Sequence, residues 1–291
     1  MGFAVDVALD AGATVGEGPV WDEERQELVW VDIPKGLVHR WSSIGGAATP
    51  QPIGQPVGAV ALRRSGGLLV AMRDGFGTTE GSAPDVELRR EVERADRTTR
   101  MNDGKCDAAG RFWAGTMELD MAPGRGSLYR LDPDYEVTSA LDGLGVPNGL
   151  AWTSDGRTMY FIDSLAGGID AYDFDPDEGR IGTRRRLVDV PPDAGLPDGM
   201  TIDADGHLWV AFWGGGTVRR FAPDGRPGII VNVPASQVTS CTFGGRGLDE
   251  LYVTSAADDI APEQRRDEPH AGAVFCVRPG VTGLPADRFA G

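Results

Sequence analysis

Six short, largely apolar runs recur along the chain, several of them apolar at nearly every position: ELVWVDI (27–33), GLLVAM (67–72), RFWAGTM (111–117), TMYFIDS (158–164), HLWVAFW (207–213) and ELYVTSA (250–256). Strict alternation would mark a strand buried on one face; these runs lack it and predict strands covered on both faces. A turn rich in Gly, Asp or Arg precedes most of them: DEERQ, RRSGG, DAAG, TSDG, DADG and GGRG. A second strand-like piece follows most of them: GLVHRW, GSLYRL, GGIDAY, GTVRRF and GAVFCV. The runs start roughly 40 to 50 residues apart. That period, with several short strands per unit, predicts an all-β six-bladed β-propeller formed by residues 1–291 as one domain. Trp30, Trp113 and Trp209 are expected to pack between blades. The charged stretch 76–100 marks the second unit poorly and is expected to hold a strand pair and a loop. Residues 257–271 are expected to be a long surface loop in the last unit. AVDVAL (4–9) is expected to pair with that unit and close the ring, since an open ring would leave strand edges exposed.

Composition narrows the partners. Hydrophobic residues make up 41% of the 291, enough for a packed core, and long helical patterns are scarce against 42 Gly and 20 Pro. The formal charge of −16, with a pI near 4.6, repels nucleic acid and anionic membranes, and no basic run offsets it. Neither nucleic acid nor a membrane is therefore expected as a partner; the chain is expected to be a monomer or weak homo-oligomer. Cys106, Cys241 and Cys276 are odd in number, far apart and form no CxxC, so they predict reduced thiols rather than a disulfide framework or zinc finger. No basic segment opens the chain and no apolar run reaches membrane-spanning length, so the expected location is cytoplasmic.

In a propeller, residues at the same place in every repeat converge on one axis. Aligning the units on their turns places Glu17, Gly58, Asn102, Asn148, Asp198 and Ser240 at equivalent positions, about ten residues before each apolar run. A lone Asn-Gly or Asp-Gly is most often a turn. Here, however, the turn Asp-Gly (Asp205-Gly206, for instance) comes several residues later, and four of the six aligned positions carry carboxylate or amide oxygens. Such a ring suits a hard divalent cation such as calcium, magnesium or manganese rather than a thiolate-type zinc site. Other chemistries find no support: there is no G-x-S-x-G elbow, no full D-x-D-x-D-G calcium loop, and GGGTVRR (214–220) lacks the P-loop Lys-Ser/Thr. The three histidines, His39, His207 and His270, fall in or beside strands or in a loop, away from the aligned ring.

The segments GEGPVWD, TRMNDGKCDAAGRFWAGTM (99–117), GSLYRLD (126–132), VPNGLAWTSDGRTMYFIDS (146–164), LPDGMTIDADGHLWVAFWGGG (196–216) and PHAGAVFCV (269–277) run in order over nearly the whole chain. In them the chain resembles the senescence marker protein/regucalcin, gluconolactonase and luciferin-regenerating enzyme family. The resemblance implies a six-bladed propeller that hydrolyses sugar-acid lactones with one divalent metal (Ca, Mg, Mn, Zn or Fe) in the channel. It further implies metal ligands Glu17, Asn148 and Asp198, substrate contacts at Arg100 and Asn102, and an acidic substrate contact after GTM, at Glu118 ahead of Asp120. Asp198 is the residue expected to activate water. Two alternatives stand beside this reading: a non-catalytic calcium-binding propeller, and a metal-dependent hydrolase of another ester such as an aromatic lactone or phosphotriester.

Overall fold

Strands buried on both faces need neighbours on both sides, and the fold supplies them. Leu68–Met72 and Gly75–Thr79 are buried along their whole length, and Leu208–Trp213 is buried at all but its last residue. The structure is a computed structural model that describes residues 2–80 and 85–291. Among the described residues the strands form six small antiparallel sheets. Their inner strands are Gly16–Asp22, Val57–Leu62, Thr99–Cys106, Pro147–Trp152, Leu196–Ile202 and Val238–Gly244. Each packs against the inner strands of the two adjacent sheets, which closes the circle of a six-bladed β-propeller, blades 1 to 6 in chain order.

The core is divided accordingly into six wedges, one between each pair of neighbouring blades. Trp209 packs with Cys241, Phe243 and Phe275 between blades 5 and 6. Trp113 packs with Leu150, Phe161 and Phe174 between blades 3 and 4, and Trp30 with Tyr252 and Val274 between blades 1 and 6. All three indoles are essentially inaccessible, as expected. The expected closing strand is also present: Val5–Leu9 pairs antiparallel with Val274–Val277, Val5 opposite Val277.

The weakly marked second unit is a regular blade, in which Gly75–Thr79 pairs with Val86–Glu91; part of its expected loop, residues 81–84, lies outside the described residues. The expected surface loop at 257–271 instead carries a short helix, Pro262–Asp267. Arg184 and Arg186, on the outer strand of blade 4, reach the buried carboxylate of Asp170 at 2.8 and 3.1 Å.

Residues 278–291 form a strap across the face opposite the inner-strand starts. Ala204 donates to the Thr282 carbonyl (2.9 Å) and Gly283 to Leu248 (2.8 Å). Phe289 donates to Leu62 (2.9 Å), Ala290 to Gly110 (3.0 Å), and Arg288 pairs with Asp22 at 3.0 Å. One segment thus stitches blades 1, 2, 3, 5 and 6 together.

Candidate functional site

Every inner strand breaks register with its neighbour at or beside the aligned position: between Glu17 and Val20, Val57 and Ala59, Met101 and Gly104, Pro147 and Leu150, Pro197 and Met200, and Val238 and Ser240. A bulge leaves residues out of the ladder and re-aims their side chains. Here all six bulges surround the channel. The backbones are crowded at this level. A Cβ on Gly58 would lie 2.2 Å from the Asn102 carbonyl oxygen, and one on Gly199 would lie 2.1 Å from Ser240 Oγ. Glycine is needed at both places because the next blade leaves no room.

Glu17, Asn102, Asn148 and Asp198 are all buried. A hydrogen-bond chain runs through three blades. Arg100 Nη1 donates to Asn102 Oδ1 (2.7 Å); Asn102 Nδ2 donates to the Pro147 carbonyl (2.9 Å) and to Asn148 Oδ1 (3.2 Å). Asn148 Nδ2 donates to Ser164 Oγ (2.9 Å), whose hydroxyl donates to the Pro197 carbonyl (2.7 Å). Both ends of the Asn102 amide are therefore engaged by protein groups, and Ser164 fixes which way Asn148 presents its oxygen.

The electrostatics test whether these residues fit a cation. Burial, reinforced by Asp103, pushes the Glu17 carboxyl up to about 8, against opposition from the Gly18 N–H, Arg100 and Lys105. Burial and then the charges of Glu17 and Asp103 push Asp198 well above the usual carboxylate range, and burial raises Asp103 as well. Burial lowers Arg100 to about 10, opposed by Glu17, Asp198 and Asp258, so it stays charged at neutral pH. Three buried carboxylates that repel one another and oxygen donors from blades 1, 4 and 5 are what a hard divalent cation relieves. The residues fit the group.

A different acidic group, Asp203, Asp205 and His207, has side-chain oxygens and nitrogen close together. Asp203 is committed elsewhere, however. Its Oδ1 accepts from the Asp205 and His207 N–H groups (3.0 and 2.9 Å), and its Oδ2 from Trp209 Nε1 (2.9 Å) and Arg220 Nε (2.7 Å). Asp107 makes the same latch in blade 3 with Arg111 and Trp113. These aspartates pin turns to tryptophans. His39 stacks on Trp30, and His270 lies 3.5 Å from Asp10.

At the rim, Glu118 is held by Arg125 Nε (2.8 Å) and Thr98 Oγ1 (3.2 Å), whereas Asp120 is exposed and accepts from the Ala122 N–H (3.1 Å). Below the carboxylates the channel opens into a cavity of about 430 Å³ toward the strap, lined in part by Asp103, Lys105, Ser240 and Asp287.

Aligning the repeats missed Ser164, Asp103 and Lys105. Ser164 ends an apolar run but has no aligned counterpart to betray a role, and Asp103 and Lys105 sit beside the aligned Asn102 in NDGKCD. Ser164→Ala should weaken divalent-cation binding about 10-fold by freeing the Asn148 amide to rotate. Calorimetric titration against the parent protein, at unchanged circular dichroism, checks this.

The family model for the SMP-30/gluconolactonase/LRE-like region matches residues 15–257. Regucalcin of Gallus gallus is 40% identical over 284 residues, 95% of either chain. Among solved structures, a luciferin-regenerating enzyme matches with a TM-score of 0.93 at 33% identity, over 99% of this chain and 100% of its own. A calcium-binding protein, regucalcin, from Agrobacterium tumefaciens matches with a TM-score of 0.95 at 28% identity, over 99% and 98%.

Proposed function

The chain belongs to the SMP-30/gluconolactonase/LRE-like family, and from that premise we propose that it is a metal-dependent lactonase acting on sugar-acid lactones. The observation that carries the proposal is the convergence of Glu17, Asn148 and Asp198 from three blades, with Arg100 beside them, at one height in the channel. Glu17, Asn148 and Asp198 would hold the cation. When bound, it supplies Lewis acidity to the lactone carbonyl and to the oxyanion that develops as water attacks.

The chain's own groups do the rest. Asp198, held beside the cation, takes a proton from the attacking water. Arg100, steadied by Asn102, donates to substrate oxygens. At the rim Asp120 has the freer carboxylate, because Glu118 is paired with Arg125, so substrate hydroxyls meet Asp120 first.

The test is a panel of aldonolactones assayed on metal-stripped protein, with and without added Ca, Mg, Mn, Zn or Fe. A rate that vanishes with chelator and returns with metal supports the reading. The second reading, a calcium-binding propeller without catalysis, is favoured if calcium binds and no lactone is opened.

The carboxyl shifts also set a pH dependence. Without metal, the native state holds a proton on Glu17 up to about 8, whereas the unfolded chain releases it near 4.5. This contribution to stability is complete below pH 4.5 and is lost as pH rises through 8. A bound cation needs the carboxylates ionised. The gap in Tm between metal-loaded and metal-stripped protein should therefore widen from pH 6 to pH 8, as read by scanning fluorimetry. A gap that narrows counts against the site.

A further inference from the structure

Lys105 lies on the inner strand of blade 3, and its Nζ donates to the Met200 carbonyl of blade 5 at 2.5 Å. Blade 4 stands between these two strands in the ring, so the side chain crosses the channel as a bar. It runs beneath the carboxylates, and its other side lines the rear cavity with Asp103. Among the described residues its hydrogen-bond partner is a carbonyl and no carboxylate lies in ion-pair contact; burial pulls the ammonium's pKa down, and the nearby charge of Asp103 opposes that. It acts instead as a field on the groups above, Glu17 and Asp103 in particular. Holding up one carbonyl needs a donor but no charge, and a buried charge is costly. The charge therefore calls for its own explanation.

Building on the metal-centre reading above, we propose that Lys105 is a resident counter-charge: it holds down the site's affinity for the divalent cation and leaves that cation more electrophilic. In the cation-loaded site, where binding requires the carboxylates ionised, Glu17, Asp103 and Asp198 set three negative charges against the two positive charges of Arg100 and Lys105. A divalent cation then leaves the channel one unit positive; without Lys105 it would be neutral. An under-neutralised cation binds less tightly and withdraws more electron density from a carbonyl.

The experiment titrates calcium, and separately manganese, into metal-stripped protein by calorimetry for the parent and three variants. Lys105→Met and Lys105→Gln remove the charge, and Gln keeps a donor for the Met200 carbonyl. Lys105→Arg keeps the charge. Both neutral variants should bind calcium at least about tenfold more tightly and show a lower kcat on an aldonolactone, while Lys105→Arg binds like the parent. A purely structural bar predicts the reverse: affinity lost in Lys105→Met and restored in Lys105→Gln. Unchanged or weaker binding in folded neutral variants overturns the proposal, as does failure of both to fold, since a charge that only tunes the metal is not needed for folding. If the parent itself binds neither cation, the metal-centre reading falls, and this proposal with it.

Discussion

Asp198→Ala is expected to lower kcat/KM for a lactone by about a thousandfold or more, because on the proposed mechanism it removes a metal ligand and the water-activating carboxylate together. The variant should also lose divalent-cation binding while keeping its fold. Losing a buried, repelled carboxylate costs the metal-free protein little, and deletion of one of three like charges relieves the other two. The metal-free variant should therefore melt at or above the parent's Tm. Steady-state kinetics, calorimetric titration and thermal unfolding on one preparation test all three points. The control is Asp205→Ala, seven residues on in the same sequence stretch. Asp205 has an exposed side chain 3.4 Å from Arg220, a pair that contributes at most about 1 kcal/mol. It should leave turnover per folded molecule unchanged, and equal catalytic loss in both variants would refute the assignment.

The second large effect belongs to the third aspartate of that stretch. Asp203→Ala should cost about 3–5 kcal/mol, since it strands a mostly buried Arg220 guanidinium, the Trp209 indole N–H and two turn amides. For a chain of this size that is a fall in Tm of roughly 5–8 °C. Activity per folded molecule and cation affinity should stay at parent values. A loss of cation affinity at parent stability would instead make Asp203, Asp205 and His207 a metal site.

These aspartates show how far the sequence can be read. The repeat in apolar runs exposed the blades, and its register separated Asp198 from the turn Asp205, because residues at equal height in every blade must meet at the axis. Height is not direction, though. The six bulges that turn side chains into the channel leave no mark of their own in residue type. Ser164 orients Asn148 from a strand end where the other blades have no counterpart. The blade 2 outer strand, Val86–Glu91, is largely solvated, so it lacked the apolar signal of its partners. The strap has no period at all, since each of its residues answers to a different blade.

The closing strand has a consequence for how the molecule is made. Val5 finds its partner only at Val277, and the strap's last bonds wait for Ala290 and Gly291. Contacts this far apart in the chain make for slow folding, because a long loop must close before it is rewarded. On the ribosome, the five earlier blades emerge while blade 6 still lacks its strand Val274–Val277, and Glu17 of blade 1 cannot be locked against its distant neighbours until that strand has been made. The proposed cation binding is therefore expected only once blade 6 is complete: nascent chains halted before residue 274 should hold most of their strands and bind no metal.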